Sequence, residues 1–233
     1  MRKILGKLNI MVALVMALLM TGVFGAASYV LASATSNFTQ TINAGTLAVD
    51  IVDGSYVTVA SPSMAMATST FSFSCHTQTG SFGATTTQQI YVTNPDASDT
   101  GWAVSLAAAA TSSIWDSAGT DFDFNDPTGA GCTDGGGAND PDAFGGQMTV
   151  DASVGTLSVG ACLSCNTTSV TKGSSNAFNQ GTTDTITILT GAAGSSDIGD
   201  WRLNGVAISQ TIPAEQAAAA DYDINMVLSI VAI

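Results

Sequence analysis

Positive charge is nearly absent from this 233-residue chain. Of its five Lys and Arg, Arg2, Lys3 and Lys7 lie at the extreme N-terminus, which leaves Lys172 and Arg202 for everything else. Glutamate is scarcer still, with Glu215 alone among eighteen acids, and His76 is the one histidine. These shortages exclude whole classes of chemistry. Without a basic patch there is no footing for nucleic acid. General bases are almost lacking, no Gly-x-Ser-x-Gly elbow surrounds any Ser, and a Ser-His-Asp arrangement would have to use His76. His76 reads instead as a structural or exposed residue. The only Trp residues are Trp102, Trp115 and Trp201. Two of them lie in strand patterns, which leaves little for the aromatic sugar cleft of a glycosidase. The expectation is a protein that is not an enzyme.

What is there begins with an export pattern. Arg2, Lys3 and Lys7 precede an apolar stretch from Ile10 to about Val30, and Ala32-Ser33-Ala34 has the small-residue form of a cleavage site. The pattern predicts a signal peptide over 1–34, cut after Ala34, and a secreted domain over 35–233. The alternative is an uncleaved anchor, since the stretch approaches the roughly 20 residues that span a bilayer. Membrane contact is expected only through this segment, if it is uncut. Beyond Ala34 two basic residues face all eighteen acids, a surface that repels nucleic acid and anionic lipid.

Cys75, Cys132, Cys162 and Cys165 all fall in the exported part, where an even count predicts two disulfides. Three pairings are open. Cys162-Leu163-Ser164-Cys165 has C-x-x-C spacing, but a redox motif would want it at a helix N-terminus near a βαβ pattern, and it follows an apparent strand. Zinc would need a second close pair, which Cys75 and Cys132 do not form.

The rest reads as strands and loops. Alternation marks 46–51, 56–59, Phe71-x-Phe73-x-Cys75, 89–93, 102–106, 148–150, 156–159, 185–189, 201–203 and 206–208. Tyr222, Ile224, Met226, Leu228 and Ile230 share one face of a last strand. Val227 and Val231 make its other face apolar too, so this strand is expected to be central. Helix signals are short: Leu106–Ala110 lacks length, and Ala217–Ala220 could form one turn. The fold class is therefore all-β, an antiparallel β-sandwich with a long Asp/Gly-rich insertion at about 111–146, preceded by an N-terminal hydrophobic signal helix. Trp115, Phe122, Phe124 and Cys132 are the expected anchors of the insertion.

That insertion is the candidate metal site. Asp116, Asp121, Asp123, Asn125, Asp126, Asp134, Asp140 and Asp142 supply the oxygen ligands calcium takes, among glycines that let a loop close around an ion. The competing reading is a solvated acidic loop with Phe122 and Phe124 inward and the Asp side chains outward.

Three segments occur in order: Gln89 through Asn94-Pro95 to Gly101-Trp102-Ala-Val-Ser-Leu106, the literal Trp201-Arg202-Leu203, and Ile212-Pro213-Ala214 running to Tyr222 and the last strand. Together they resemble the WxL domain, a cell-surface module of Gram-positive bacteria. The resemblance implies a β-sandwich that binds peptidoglycan non-covalently, with Trp102, Trp201 and Leu203 as candidate binding residues. Alternation in strands places the same Trp side chains in a core. Separately, Phe38-Thr-Gln-Thr-Ile-Asn-Ala-Gly45-Thr-Leu47 is similar to the start of the camelysin and TasA family of secreted β-sandwiches, some of which polymerise. That likeness implies an N-terminal strand given to the next subunit. The expected partners are thus cell-wall glycan or other surface proteins, at the cell surface or cell wall, with a self-assembling surface fibre or layer as the alternative.

Overall fold

The computed structural model describes residues 2–25, 39–41, 43, 45–84, 86–95, 100–136, 142–194 and 198–233. The expected cleavage site at Ala34 and the candidate ligand Asp140 lie outside them. The chain divides into two compact units, Met1–Ile42 and Asn43–Ile233.

The first unit carries one helix, α1 (Arg2–Gly25). Ile10, Val12, Leu14, Val15 and Leu18 on it are all exposed. A helix that is apolar all round is at home only in an apolar surrounding. Within α1 side chains are described for Lys7 and 9–18. Within that limit, no helix among the described residues is long and apolar enough to cross a membrane.

The second unit is all-β, as expected. Its strands are β1 (Ala48–Val52), β2 (His76–Phe82), β3 (Gln89–Asn94), β4 (Trp102–Ala108), β5 (Gln147–Asp151), β6 (Thr156–Val159), β7 (Val170–Lys172), β8 (Asn176–Ala177), β9 (Thr185–Gly191), β10 (Gly199–Asn204), β11 (Val206–Ile212) and β12 (Met226–Ala232). They form three four-stranded sheets, in the orders β1-β3-β10-β6, β2-β11-β5-β8 and β12-β4-β9-β7, where a sandwich has two layers. Every pairing is antiparallel.

One core serves all three sheets. Val92 and Leu203 come from the first, Val150 and Ile208 from the second, Val104 and Ile188 from the third. Alternation produces this directly: the buried positions of β5, Met148 and Val150, are separated by partly exposed Thr149. Trp102 and Trp201 meet there with ring centroids 5.4 Å apart. Opposite Trp102 stands Gly191. A Cβ on Gly191 would fall 2.4 Å from the indole, so only glycine leaves room for the ring.

Several expectations are corrected. Residues 56–59 make only a single bridge, Val52 to Thr58. Phe71 and Phe73 belong to no strand; the alternation there lies in an irregular strap over 59–75 that leaves both rings exposed. Ala217–Ala220 forms no helical turn. The last strand is not central: β12 is the outermost strand of its sheet. Its apolar second face is open to solvent, with Val227 45% and Val231 56% exposed. Sequence patterning also passes over β2, β7 and β8, which are polar or very short.

The four cysteines pair as Cys75–Cys132 and Cys162–Cys165. The first ties the end of the strap to the insertion. Within the insertion, Trp115 stacks on Phe122 at 5.7 Å, and Phe124 meets Phe178 edge-on at 5.2 Å. The expected anchors therefore hold. Gln210 of β11 completes the attachment, accepting the Trp115 indole N–H and donating to the Asp123 carbonyl.

Candidate functional site

Trp102, Trp201 and Leu203 are each 0% exposed. Trp201 donates its indole N–H to the Asn166 carbonyl at 2.8 Å, which satisfies its one polar atom inside the core. All three side chains are core, so their assignment as glycan contacts is corrected: none reaches a surface on which a sugar could stack.

The acids of the insertion act mainly as acceptors for nearby backbone N–H groups. Asp126 accepts from Thr128 at 2.8 Å and from Gly135 at 3.1 Å. Asp121 accepts from Ser117, Asp134 from Gly136 and Asp142 from Phe144. Asp123 accepts from Phe124 and Asn125, Asn125 donates to the Thr111 carbonyl, and the Asp116 backbone pairs with Asp223. These local bonds bend the chain through turns that regular structure cannot make. Phe122 and Phe124 do point inward, but Asp123 and Asp126 are buried with them, contrary to an outward acidic row. A buried carboxylate needs such donors to offset its lost hydration.

The described residues among these acids do not converge on one point. Among the described residues, one group of three His, Cys, Asp or Glu brings its ligand atoms within 4.8 Å of one another: Cys162, Cys165 and Asp200. Sequence reasoning had not singled out Asp200. Its only signal was an acid immediately before a strand Trp. Asp200 is 8% exposed in β10. It accepts the N–H of Ala161 at 2.9 Å and of Cys162 at 2.8 Å, and the Tyr91 hydroxyl donates to it as well. Burial, then the hydrogen bond to Asp200 and its charge, push the Tyr91 phenol above its ordinary pKa.

His76 donates from Nδ1 to the Ser74 carbonyl and accepts at Nε2 from Ser69 at 2.6 Å. No carboxylate orients the ring in these contacts, so the pair is a turn fastening on the strap.

The third place is the edge at β12. Two seven-residue strands end their sheets, β2 and β12. The free side of β2 is covered by the strap, where Ala67 donates to the Thr79 carbonyl. The free side of β1 is taken near its end, where Ile51 accepts from Val59. Among the described residues, β12 pairs with β4 alone. It carries no Lys, no Pro and no charge, the usual guards against further pairing. Beneath it an apolar cavity of about 370 Å³ opens between Ile51 of β1, Leu106 of β4, Met226 and Leu228 of β12, Met64 of the strap and Trp115. Met226, Leu228 and Ile230 are only half-buried although they face the core. β1 lies beside β12 without pairing to it.

Fold and site together define an all-β, disulfide-bonded domain whose last strand presents an unguarded edge above an apolar slot. No family model, no curated protein and no solved structure matches the chain.

Proposed function

We propose that this protein is an exported, non-catalytic structural subunit that assembles with copies of itself at the cell surface, the N-terminal segment of one copy pairing with β12 of the next. The observation that carries this reading is β12: a seven-residue strand, apolar on both faces, whose side away from β4 has no partner among the described residues, over a cavity that an inserted side-chain row would fill. Main-chain bonds would supply affinity and the cavity would choose the side chains, the general physics of strand addition. The described residues between 39 and 46 are exposed and belong to no strand, which leaves them available as donor up to Gly45, whose N–H is held by the Pro95 carbonyl. α1, with its exposed apolar sides, supports export. Adhesion to cell-wall glycan is the weaker reading, because the three residues that would carry it are buried.

The test uses the chain from residue 35 onward, with and without residues 35–47. That deletion spares β1, which begins at Ala48. Negative-stain microscopy and light scattering are expected to show filaments for the longer chain and monomers for the shorter. Filaments that form equally well without the segment would refute strand donation. A longer chain that stays monomeric yet sediments with purified cell walls would put adhesion in its place.

A further inference from the structure

We infer that Cys162–Cys165 is a thiol–disulfide exchange site, accepting electrons from an exposed dithiol, while Cys75–Cys132 is the structural bond. The inference does not depend on the assembly reading. It rests on how differently the two bonds are set.

Cys75–Cys132 closes a sequence separation of 57 and joins the strap to the insertion. Cys162–Cys165 closes a separation of 3. So short a loop removes little freedom from the unfolded chain, and the bond adds correspondingly little to the fold. Residues 162–165 lie between β6 and β7 and take part in no strand pairing. Both sulfurs belong to half-buried residues, and Leu163 between them is fully exposed. An apolar side chain at the tip of such a loop is a contact point for an incoming peptide.

The loop is nevertheless held in position. Asp200 grips its N-terminal side through the Ala161 and Cys162 amides. Gly199 lies under the other sulfur, where a Cβ would fall 2.3 Å from Cys165 Sγ. The redox objection raised by the sequence, that no helix N-terminus carries the pair, is true of this fold. In place of a helix there is a fixed, buried carboxylate with an oxygen within 4.8 Å of both sulfurs. Its negative charge disfavours a thiolate on either cysteine. Asp200 is thus a positioning residue for the loop, and its charge opposes thiolate release where a helix N-terminus would assist it.

The reaction balances without a further reagent. One thiolate of the dithiol attacks a sulfur of the pair, forming a mixed disulfide and breaking the Cys162–Cys165 bond. The second thiolate attacks the mixed disulfide and releases the other cysteine. The dithiol leaves as a disulfide, two electrons pass to the protein, and its two protons end on Cys162 and Cys165.

The mature chain is titrated with dithiothreitol, and free thiols are trapped with iodoacetamide and mapped by mass spectrometry. Cys162 and Cys165 are expected to label at a dithiothreitol concentration at least tenfold below that needed for Cys75 and Cys132, with circular dichroism unchanged at the first step. Simultaneous labelling of all four, or labelling of Cys75 and Cys132 first, would overturn the proposal. In Asp200→Asn the midpoint pH for alkylation of the reduced pair is expected to fall. The double variant Cys162→Ser, Cys165→Ser reports whether the domain folds without the bond, and loss of its circular dichroism signal would equally overturn the assignment. An unmoved midpoint in a folded Asp200→Asn would remove Asp200 from the site.

Discussion

Tyr91 and Asp200 each make sense only with the other. Asp200 receives three donors and Tyr91 is one of them. The phenol is held above its ordinary pKa first by burial and then by that carboxylate. The unfolded chain ionises Tyr91 near its ordinary value of about 10. The folded protein resists ionisation, so it retains protons that the unfolded chain has lost. The stabilisation is therefore complete below about pH 10 and disappears as pH rises past that value towards the folded pKa. Urea denaturation between neutral and strongly alkaline pH is expected to show a midpoint that falls in the alkaline range. The fall should be shallower in Tyr91→Phe, which loses about 2 kcal/mol at neutral pH with the hydrogen bond to a charged acceptor. Equal alkaline slopes for the two proteins would show that other groups set the pH dependence.

Among the elements, β12 differs most from its sequence expectation, and the cause is general. Two apolar faces normally identify a strand whose sheet is covered on both faces. Here the second face, Val227 and Val231, is exposed. Among the described residues both this face and the outer edge of the strand are unused, and a pairing copy would occupy the edge. Val231→Lys places an edge charge of the kind that blocks pairing. Because Val231 is exposed, the substitution is expected to change monomer stability by no more than about 0.5 kcal/mol, read from urea unfolding. Assembly, read by light scattering, should be lost. Filaments from a folded Val231→Lys would move the contact elsewhere. β2 shows the converse. His76-Thr-Gln-Thr-Gly-Ser-Phe82 has almost no apolar alternation, yet it pairs along its whole length with β11 and is closed by the strap. A period of two is visible only where one face is buried in hydrocarbon; pairing itself is done by backbone atoms that every residue carries.

At the scale of the whole molecule, charge and cohesion oppose each other. The two cations beyond Ala34 that sequence leaves to the domain are both spent on neutral oxygens: Lys172 donates to the Ser153 and Gly155 carbonyls, and Arg202 to Ser158 Oγ. The acids therefore give each copy a strongly negative field. Copies that assemble must work against that field, and salt relieves it, since the Debye length shrinks from about 30 Å at 0.01 M to about 3 Å at 1 M. Filament yield is expected to rise with sodium chloride over that range. Yield that falls as salt rises would mean that attractive ion pairs hold the contact.

The sequence by itself determined the class of the fold, because β3, β4, β5, β9, β10 and β11 each alternate strongly enough to name their own inward row. It also determined the disulfide number and the anchors of the insertion, since aromatic and cysteine side chains among Gly and Asp have few ways to be buried. Only the tertiary structure decided which cysteines pair, that the two core Trp residues are out of reach of any sugar, that the described acids of the insertion fold turns without converging on one point, and that β12 ends its sheet. Two of these relations, Trp102 with Trp201 and β4 with β12, join residues about a hundred positions or more apart. Local pattern records which way a side chain points, whereas neighbours across space are chosen by how the strands are ordered in their sheets.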